Sequence, residues 1–294
     1  MILVTGAGGF LGAACVRQLL GEGHKVLALD PYRGGFVPQG AALLESEADL
    51  ATARPDAILH LAAFSDGPVG LARSGEAAPE RALEVNLLGF HRLLRLAAEA
   101  GVRRVVWSSS TVAIGPATGP DRVAEEVPCA PITAYGLSKH LAEQAALYVR
   151  RRHGLDITGV RLPLLFGPGL WYDGAAGLLA RMVAAAAPGA APEFAAPEDA
   201  FDAAHVADAA RLFALLLARP GLAPLYHLAG FTTRWAEIAA TLAELVPGYA
   251  PRLNPTPAPI TWPLVSQARL EQDTGFACTH DLRATLRDLL ETSA

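Results

Sequence analysis

The chain contains 294 residues, 52% of them hydrophobic and 18% charged, and carries a formal net charge of −5 at pH 7. This composition is typical of a globular protein with a sizeable core, and it excludes the strongly basic surface that nucleic acids or anionic membranes require. The most apolar stretches are interrupted by Arg181 and Arg211 and are too short to span a bilayer.

Three cysteines, Cys15, Cys129 and Cys278, lie far apart in the chain. Their spacing predicts neither a metal site nor a disulfide framework. A hydrophobic strand expected to begin at Ile2 leaves no room for a signal peptide. We therefore expect a cytoplasmic protein that binds no metal, no nucleic acid and no membrane.

Short apolar runs alternate with stretches of helical periodicity over residues 1–165. The runs predict strands at 2–5, 25–29, 57–61, 102–107 and 157–161. The periodic stretches predict helices between them, among them 83–100 and 138–152. Repeated strand–helix units with continuously apolar strands indicate an α/β fold, in which helices cover both faces of a doubly wound parallel sheet.

The pattern changes over residues 166–294. Helices are predicted at 208–217, 235–245 and 282–291, whereas the Ala- and Pro-rich stretches 187–198 and 251–263 are expected to be loops. A strand at 225–228 is expected to return to the main sheet. We interpret residues 166–294 mainly as a smaller lobe that closes over a ligand crevice and binds the substrate.

Three glycines, Gly6, Gly9 and Gly12, lie where the first strand passes into the first helix. In dinucleotide-binding folds such glycines form the tight turn, admit a pyrophosphate to the backbone N–H groups and let the helix pack close to the strand. The helix N-terminus adds a partial positive charge. This segment therefore predicts a dinucleotide site in residues 1–165.

Asp30 follows the second strand, eighteen residues after Gly12. A carboxylate at this position can accept both ribose hydroxyls of NAD and would repel the 2′-phosphate of NADP. Arg33 could offset that repulsion, so NADP stays open as an alternative, and so does a simple turn formed by Asp30 with Pro31.

Tyr135 and Lys139 are four residues apart and share one face of a predicted helix. A neighbouring ammonium group favours the phenolate form of a tyrosine, which makes the phenol a better acid and base near neutral pH. The pair follows a strand that ends in Ser108–Ser110, at the sheet edge where such folds bind ligands. This arrangement predicts proton transfer to or from a substrate hydroxyl.

The chain resembles the extended short-chain dehydrogenase/reductase family, the NAD-dependent epimerase/dehydratase group, over nearly its whole length. The matching segments are TGAGGFLG at 5–12, HLAA at 60–63, NLLG at 86–89, SSS at 108–110, YGLSK at 135–139, Arg161, GPG at 167–169 and HVAD at 205–208. The resemblance implies a Rossmann-type fold, NAD as cofactor, and a homodimer formed through the helices at 83–100 and 138–152.

The resemblance also implies roles for individual residues. Ser110 would hydrogen-bond the reacting oxygen, Tyr135 would be the acid and base, and Lys139 would hold the nicotinamide ribose. Asp49 and Leu50 would contact the adenine, on a helix that the short segment 49–58 truncates. The expected cofactor-binding residues are Gly6, Gly9, Phe10, Leu11, Gly12, Asp30, Asp49, Leu50, Leu61, Ala62, Ala63, Asn86, Ser108, Tyr135, Lys139, Leu162 and Pro163.

Two departures from the family pattern concern the substrate. Sugar-nucleotide enzymes of the family usually have an Asn at the position of Leu164 and a diphosphate-binding Arg at that of Phe201. Neither replacement can donate a hydrogen bond or neutralise a phosphate, so we infer a substrate without a nucleotide diphosphate. The alternative is a diphosphate pocket rebuilt around other residues such as Arg181. The pair Thr111–Val112 replaces the Asp–Glu of the dehydratases, which makes dehydration an unfavoured reaction.

Several further side chains have both a functional and a structural interpretation. Ser65 could face the substrate or be an ordinary loop serine, and Trp171, with Tyr172 and Asp173, could form a pocket wall or only pack the lobe. His60 is interpreted as a core histidine, and His205 and Asp208 as residues that position a helix. The expected substrate-binding residues are Ser65, Ser110, Thr111, Leu164, Trp171 and Phe201.

These features favour an NAD-dependent dehydrogenase or reductase acting at a secondary alcohol or ketone of a small hydroxylated molecule, such as a sugar or sugar acid. The first alternative is an epimerase, in which the same residues oxidise a sugar carbon and return hydride to its opposite face. A second, of a different class, is a non-catalytic NAD sensor, which the presence of Ser110, Tyr135 and Lys139 together disfavours.

Overall fold

The structure is a computed structural model that describes residues 1–31, 36–119, 121–170, 174 and 176–293. The strands are β1 Ile2–Thr5, β2 Val26–Leu29, β3 Ala42–Leu43, β4 Ala57–His60, β5 Arg104–Ser110, β6 Asp156–Leu162, β7 Leu164–Phe166, β8 Glu193–Pro197, β9 Phe201–His205, β10 Leu225–His227, β11 Phe231–Thr233 and β12 Arg252–Thr256. The helices are α1 Phe10–Gly21, α2 Leu50–Ala53, α3 Leu71–Ala77, α4 Pro79–Leu83, α5 Phe90–Glu99, α6 Ala134–His153, α7 Gly177–Ala184, α8 Val206–Ala218, α9 Trp235–Leu245, α10 Ala268–Thr274 and α11 Leu282–Ser293.

Seven strands form the main sheet, in the order β10-β6-β5-β4-β1-β2-β3, and every neighbouring pair is parallel. The chain moves outward from β1 in one direction through β2 and β3, and in the other through β4, β5 and β6. The carboxyl ends of β1 and β4 therefore lie side by side where the strand order reverses, which is the place where doubly wound folds bind ligands. The α/β, Rossmann-type prediction is confirmed.

Helices cover both faces of this sheet because its central strands are apolar on both sides. All four residues of β1 and of β4 are buried. On one face α1 and α8 pack together through residues such as Val16 and Phe213. On the other face α5 and α6 pack through residues such as Leu93 and Val149. These two layers hold β4, β5 and α6 in a fixed relation, which positions the residues discussed below.

The C-terminal residues form a lobe with its own core. A three-stranded sheet, in the order β11-β9-β7, packs with α7, α9 and α11 around buried residues such as Phe166, Met182 and Trp235. The predicted strand at 225–228 is confirmed, since β10 pairs in parallel with β6 of the main sheet. The substrate-binding role of the lobe stays a prediction.

The expectation of loops at 187–198 and 251–263 is wrong in part. β8 and β12 pair in parallel over five residues each and form a separate two-stranded sheet. A two-stranded sheet has only edge strands, where a proline without an N–H is tolerated, so Pro255 does not prevent the pairing. Most of its residues are at least partly exposed, so the sequence lacks the apolar alternation by which a strand is recognised.

The helices also bear on two predictions, a truncated helix near Asp49 and the absence of a membrane span. The helix that begins at Leu50 has only four residues, which confirms the predicted truncation. Among the parts of the chain that the structure describes, no helix has both the length and the apolar character needed to cross a membrane.

Candidate active site

The turn between β1 and α1 is built from glycines that pack against one another. Gly6 has φ +69°, in the left-handed region that favours glycine. A Cβ added at Gly6 would lie 2.8 Å from the backbone nitrogen of Ala62, and one added at Gly12 would lie 1.9 Å from the carbonyl oxygen of Gly6. The turn, the end of β4 and the first turn of α1 therefore approach one another closely, and they do so because these positions lack side chains.

Asp30 lies directly after β2 and faces this turn. Its Oδ2 accepts a hydrogen bond of 3.0 Å from the backbone N–H of Gly8. The carboxylate is thus held at the carboxyl edge of the sheet, beside the glycine turn that leads into α1, whose first residues are Phe10 and Leu11. Arg33, named in the NADP alternative, lies outside the described residues.

The residues that follow β4 are tied to β1. The backbone N–H of Leu61 donates to the carbonyl oxygen of Thr5 at 3.1 Å, and that of Ala62 to the hydroxyl of Thr5 at 3.3 Å. The segment 61–63 is half-buried and therefore follows the edge of the glycine turn. This is where a backbone that contacts a pyrophosphate is expected.

His60 is a core residue, as the sequence indicated. It is buried, its Nδ1 lies 2.8 Å from the hydroxyl of Thr5, and its ring stacks on Phe90 with a centroid distance of 4.6 Å. Burial and the nearby charge of Lys139 lower the pKa of His60 to about 3. The low pKa keeps the imidazole neutral at physiological pH, as the interpretation of His60 as a core histidine requires.

Three residues predicted to contact the cofactor, Asp49, Leu50 and Asn86, also have structural partners within the chain, and their cofactor contacts stay a prediction. The carboxylate of Asp49 accepts hydrogen bonds from the backbone N–H and the hydroxyl of Ser46, at 3.0 and 3.1 Å. Leu50 is only 1% exposed and packs in the core beneath α5. Asn86 is buried and joins the backbone N–H of Phe64 to the hydroxyl of Ser138, at 2.7 and 2.9 Å. These side chains position the segments around the site, a role that local sequence does not reveal.

The N-terminus of α6 approaches the loop that follows β5. The hydroxyl of Thr133 caps the helix by accepting from the N–H of Gly136 at 3.0 Å, and Glu76 accepts from the N–H of Ala134 at 2.6 Å. A Cβ added at Gly136 would lie 2.5 Å from the carbonyl oxygen of Val112. Tyr135, in this first turn, is therefore held beside the end of β5.

Lys139 lies one turn further along α6 and is 3% exposed. Its Nζ donates to the carbonyl oxygen of Ser108 at 2.8 Å and lies 5.9 Å from the centroid of the Tyr135 ring. Burial lowers the pKa of Lys139 to about 8, and the charge of Glu143 opposes that effect. The cation near the phenol favours its ionised form, as the proposed acid–base role requires.

Ser110 and Thr111 lie where β5 ends and a short 3-10 turn, Thr111–Ala113, begins. Both are half-buried, and the hydroxyl of Ser110 accepts from the N–H of Val112 at 3.4 Å. Leu162 pairs with Ser110 in the β5–β6 register, and Pro163 follows it. The structure therefore brings the predicted catalytic residue Ser110 and the predicted cofactor-binding residues Leu162 and Pro163 to one edge of the sheet.

Predicted substrate residues are less closely grouped. Leu164 in β7 and Phe201 in β9 are half-buried and pack against the core of the lobe, where the ring centroid of Phe201 lies 5.1 Å from that of Trp235. Ser65 is exposed, and its hydroxyl donates to the carbonyl oxygen of Gly67 at 3.3 Å. Trp171, with its neighbours Tyr172 and Asp173, lies outside the described residues.

His205 and Asp208 position α8, which confirms their structural interpretation. The Nδ1 of His205 accepts from the N–H of Ala207 at 3.2 Å and caps the helix. The carboxylate of Asp208 accepts from the backbone N–H groups of Thr279 and His280, at 3.1 and 3.0 Å, and so ties the helix to the segment before α11.

Sequence reasoning missed a buried ionic network behind α6. The guanidinium of Arg161 donates to both carboxylate oxygens of Glu143 at 2.8 Å, and to the thiol sulfur of Cys129 at 3.1 Å. Ligand atoms of Cys129, His140 and Glu143 lie within 4.8 Å of one another. The Arg161 cation contacts two of the three, so it opposes the binding of a metal ion. The sequence signals were the four-residue spacing between Lys139 and Glu143 and the family match at Arg161.

The model of the NAD dependent epimerase/dehydratase family matches residues 2–227 of the chain. The protein belongs to this family. The fold agrees, since the structure of a UDP-glucose 4-epimerase from Thermus thermophilus in complex with NAD superposes with a TM-score of 0.85, at 26% identity, covering 99% of this chain and 98% of that one. The holo form of an epimerase-like L-threonine dehydrogenase from Cupriavidus necator gives a TM-score of 0.83 at 26% identity, covering 98% of each chain.

A curated relative is similar in sequence as well. The chain is 31% identical over 193 residues to a UDP-glucose 4-epimerase of Mycolicibacterium smegmatis, a match that covers 60% of this chain. The chain spans 60% of the length of that relative, and 50% of the length of each of two further curated UDP-glucose 4-epimerases. Both epimerases and dehydrogenases thus occur among the relatives of this member of the NAD dependent epimerase/dehydratase family.

The residues of this family member fit NAD, the cofactor that the family uses. Gly6 and Gly12 leave no room for a Cβ, so the turn presents bare backbone at the N-terminus of α1. Asp30 offers a carboxylate beside that turn for ribose hydroxyls, and the buried Lys139 offers a cation near Tyr135 for the nicotinamide ribose. Across the carboxyl edge of the sheet, Asp30 follows β2, the glycine turn follows the neighbouring β1, and Lys139 is bonded to β5 two strands further along. A dinucleotide extends across such a sheet in this direction, from its adenosine ribose to its nicotinamide ribose.

Proposed function

We propose that the protein is an NAD-dependent dehydrogenase or reductase that interconverts a secondary alcohol and a ketone on a small hydroxylated substrate without a nucleotide diphosphate. The observation that carries the proposal is the placement of Lys139. Lys139 is a buried cation that lies 5.9 Å from the centroid of the Tyr135 ring and is bonded to the strand that ends in Ser110. A cation in this place is suited to tune a phenol for proton transfer.

The proposed mechanism assigns one step to each residue. Ser110 donates a hydrogen bond to the substrate oxygen and holds it toward Tyr135. The phenolate of Tyr135 accepts the proton of the substrate hydroxyl during oxidation, and the phenol returns it during reduction. Lys139 stabilises the phenolate and hydrogen-bonds the nicotinamide ribose. NAD, when bound, supplies the acceptor or donor of the hydride.

The proposed substrate class rests on Leu164 and Phe201. Related sugar-nucleotide enzymes have polar residues at these positions, where they hold a diphosphate. Here Phe201 lies within an aromatic group, 5.1 Å from the ring centroid of Trp235 and 6.4 Å from that of Phe166. A diphosphate placed there would lose its hydration without gaining a charged partner, which is unfavourable. L-Threonine, on which a structural relative acts, is a small secondary alcohol of the proposed kind.

Calorimetric titration of UDP into the protein with saturating NAD directly tests the proposed substrate class, which lacks a nucleotide diphosphate. We expect no measurable heat of binding up to about 1 mM UDP, which corresponds to less than about 4 kcal/mol of binding free energy. The double variant Leu164→Asn/Phe201→Arg restores the two polar groups and is expected to bind UDP more tightly than the original chain. Micromolar binding of UDP by the unmodified protein would contradict the proposed class.

An epimerase is the second candidate, and the epimerases among the relatives favour it. An epimerase regenerates NAD within each turnover, so it can retain the cofactor through purification. A dehydrogenase must release the altered cofactor. Denaturing the purified protein and measuring the released NAD separates the two, because near-stoichiometric NAD favours the epimerase. A non-catalytic sensor is disfavoured because Ser110, Tyr135 and Lys139 are all present.

We also propose that the protein is a homodimer that associates through α5 and α6. Leu88, Leu137 and Tyr148 are large apolar side chains on these helices and their flanks, and 56%, 40% and 58% of their respective surfaces are exposed. The ring of His91 on α5 lies 6.5 Å from that of Tyr148 on α6, so the two helices present one continuous surface. Exposed apolar groups concentrated in this way are typical of a subunit interface.

Tyr148→Lys is expected to shift the protein toward a monomer. Burial of a charge in an apolar interface costs enough to weaken association about tenfold or more. Analytical ultracentrifugation at micromolar concentration should give about twice the chain mass of 30.7 kDa for the unmodified protein and a lower average mass for the variant. Leu43→Lys, at an exposed apolar position of β3, is the matched control and should remain dimeric. A monomeric unmodified protein would rule out the dimer.

A further inference from the structure

The carboxylate of Glu143 is the centre of the buried network behind α6. Its Oε1 accepts from the hydroxyl of Ser109 at 2.6 Å, and both of its oxygens accept from Arg161 at 2.8 Å. The side chains of Glu143 and Arg161 are 4% and 3% exposed, and Ser109 is 2% exposed. A buried ion pair with this bidentate geometry is strong and directional, so it fixes the elements that it joins.

The network joins α6 to β5 at the residues that flank the reaction. Ser109 lies between Ser108, which binds the ammonium group of Lys139, and the proposed substrate residue Ser110. Lys139 and Glu143 are one helical turn apart on α6. They are tied to consecutive residues of the strand, Lys139 to the first serine and Glu143 to the second. Two such ties set both the translation and the rotation of α6 relative to β5.

The same carboxylate is the nearest negative charge to Lys139 along α6. The titratable groups that act on Lys139 are His60 from β4 and Tyr135 and Glu143 from α6 itself. His60 is neutral, and Arg161 is bonded to Glu143. Glu143 raises the pKa of Lys139 against the effect of burial. Loss of this charge leaves the ammonium group in a site that favours its neutral form.

We propose that Glu143 is a positioning residue that fixes α6 against β5 through Ser109 and keeps Lys139 cationic. The proposal rests on the proposed function in one respect, because it assumes that Lys139 serves the cofactor and Tyr135. Glu143 itself touches neither of them. The effect of Glu143 is therefore transmitted through Lys139, and it should be visible in the pH dependence of NADH affinity.

The pH dependence of NADH affinity tests the electrostatic part without any substrate. Lys139 is charged below its pKa of about 8, so NADH affinity should fall as the pH rises through that value. In Glu143→Gln the fall should occur at least about half a pH unit lower, because the supporting charge is gone. Glu143→Asp retains the charge and should restore the original midpoint. Glu99→Gln removes an exposed carboxylate at the far end of α5 and should change nothing.

Ser109→Ala tests the positioning part once a substrate is found. It removes one tie but leaves the ion pair intact, so we expect kcat to fall by about tenfold, with the NADH midpoint unchanged. Should Glu143→Gln fail to fold, Glu143→Gln/Arg161→Gln replaces the ion pair with amides and should still lower the midpoint, by less than Glu143→Gln because a cation is removed as well. An unshifted midpoint in the folded variant, or an unaltered kcat in Ser109→Ala, overturns the proposal. A shifted NADH midpoint in Glu143→Gln, together with no turnover of any tested substrate, counts against the proposed reaction and not against the role of Glu143.

Discussion

Tyr135→Phe is expected to bind NADH within about twofold of the unmodified affinity and to lose about a thousandfold in kcat. The variant keeps the ring that packs at the start of α6 but removes the only proposed acid and base. Lys139, Ser108 and the glycine turn are unaffected, so the cofactor site remains. Fluorescence titration of NADH and steady-state kinetics measure the two quantities separately.

The control for this experiment lies on the same helix. Tyr148→Phe removes a phenolic hydroxyl from an exposed position of α6 and should leave kcat within about twofold. A Tyr135→Phe variant that retains near-normal turnover would contradict the mechanism. A variant that loses NADH binding as well would mean that the phenol supports the cofactor and not only the proton transfer.

Gly12→Ala is expected to lower the free energy of unfolding by about 3 kcal/mol, because its Cβ would overlap backbone that cannot move freely. The contact atoms are the carbonyl oxygen of Gly6 at 1.9 Å and the carbonyl carbon of the same residue at 2.8 Å. The N-terminus of α1 must shift to relieve the contact. Since that helix end and the glycine turn form the proposed pyrophosphate site, NADH affinity should also fall by about tenfold or more.

Gly21 provides the matched control for this substitution. It lies at the other end of α1, is exposed, and has no atom within 4 Å of an added Cβ. Gly21→Ala should leave NADH affinity unchanged and raise the free energy of unfolding by up to about 1 kcal/mol, because alanine favours a helix. Chemical denaturation and NADH titration of both variants measure these effects. Equal stability of the two variants would contradict the close approach at Gly12.

The parts of the fold that the sequence predicts are those with a local signal. The run at Ile2–Thr5 followed by spaced glycines, and the four-residue spacing of Tyr135 and Lys139 after a buried strand, each occupy one short segment. Both segments also match the pattern of a known family. The site residues at the glycine turn and on α6 could therefore be named before the structure was known.

The parts that the sequence does not predict depend on distant partners. β8 and β12 pair across more than fifty residues of sequence and are mostly exposed, so neither periodicity nor burial marks them. The amide of Asn86 joins Phe64 to Ser138, a contact between distant segments that the sequence did not indicate. Tertiary packing decides which polar atom a buried side chain bonds. The local sequence carries no information about that packing.

The central claim, that Tyr135 and Lys139 move a proton while NAD exchanges a hydride with a small free alcohol, is tested most directly by an absorbance scan. The purified protein is mixed with NAD and a panel of free sugars, uronic acids and simple secondary alcohols, in parallel with Tyr135→Phe. The account predicts growth of the reduced-nicotinamide band with one substrate class, and no growth with the variant. No band with any free substrate, together with interconversion of a UDP-sugar by protein that retains NAD, would contradict it in favour of an epimerase.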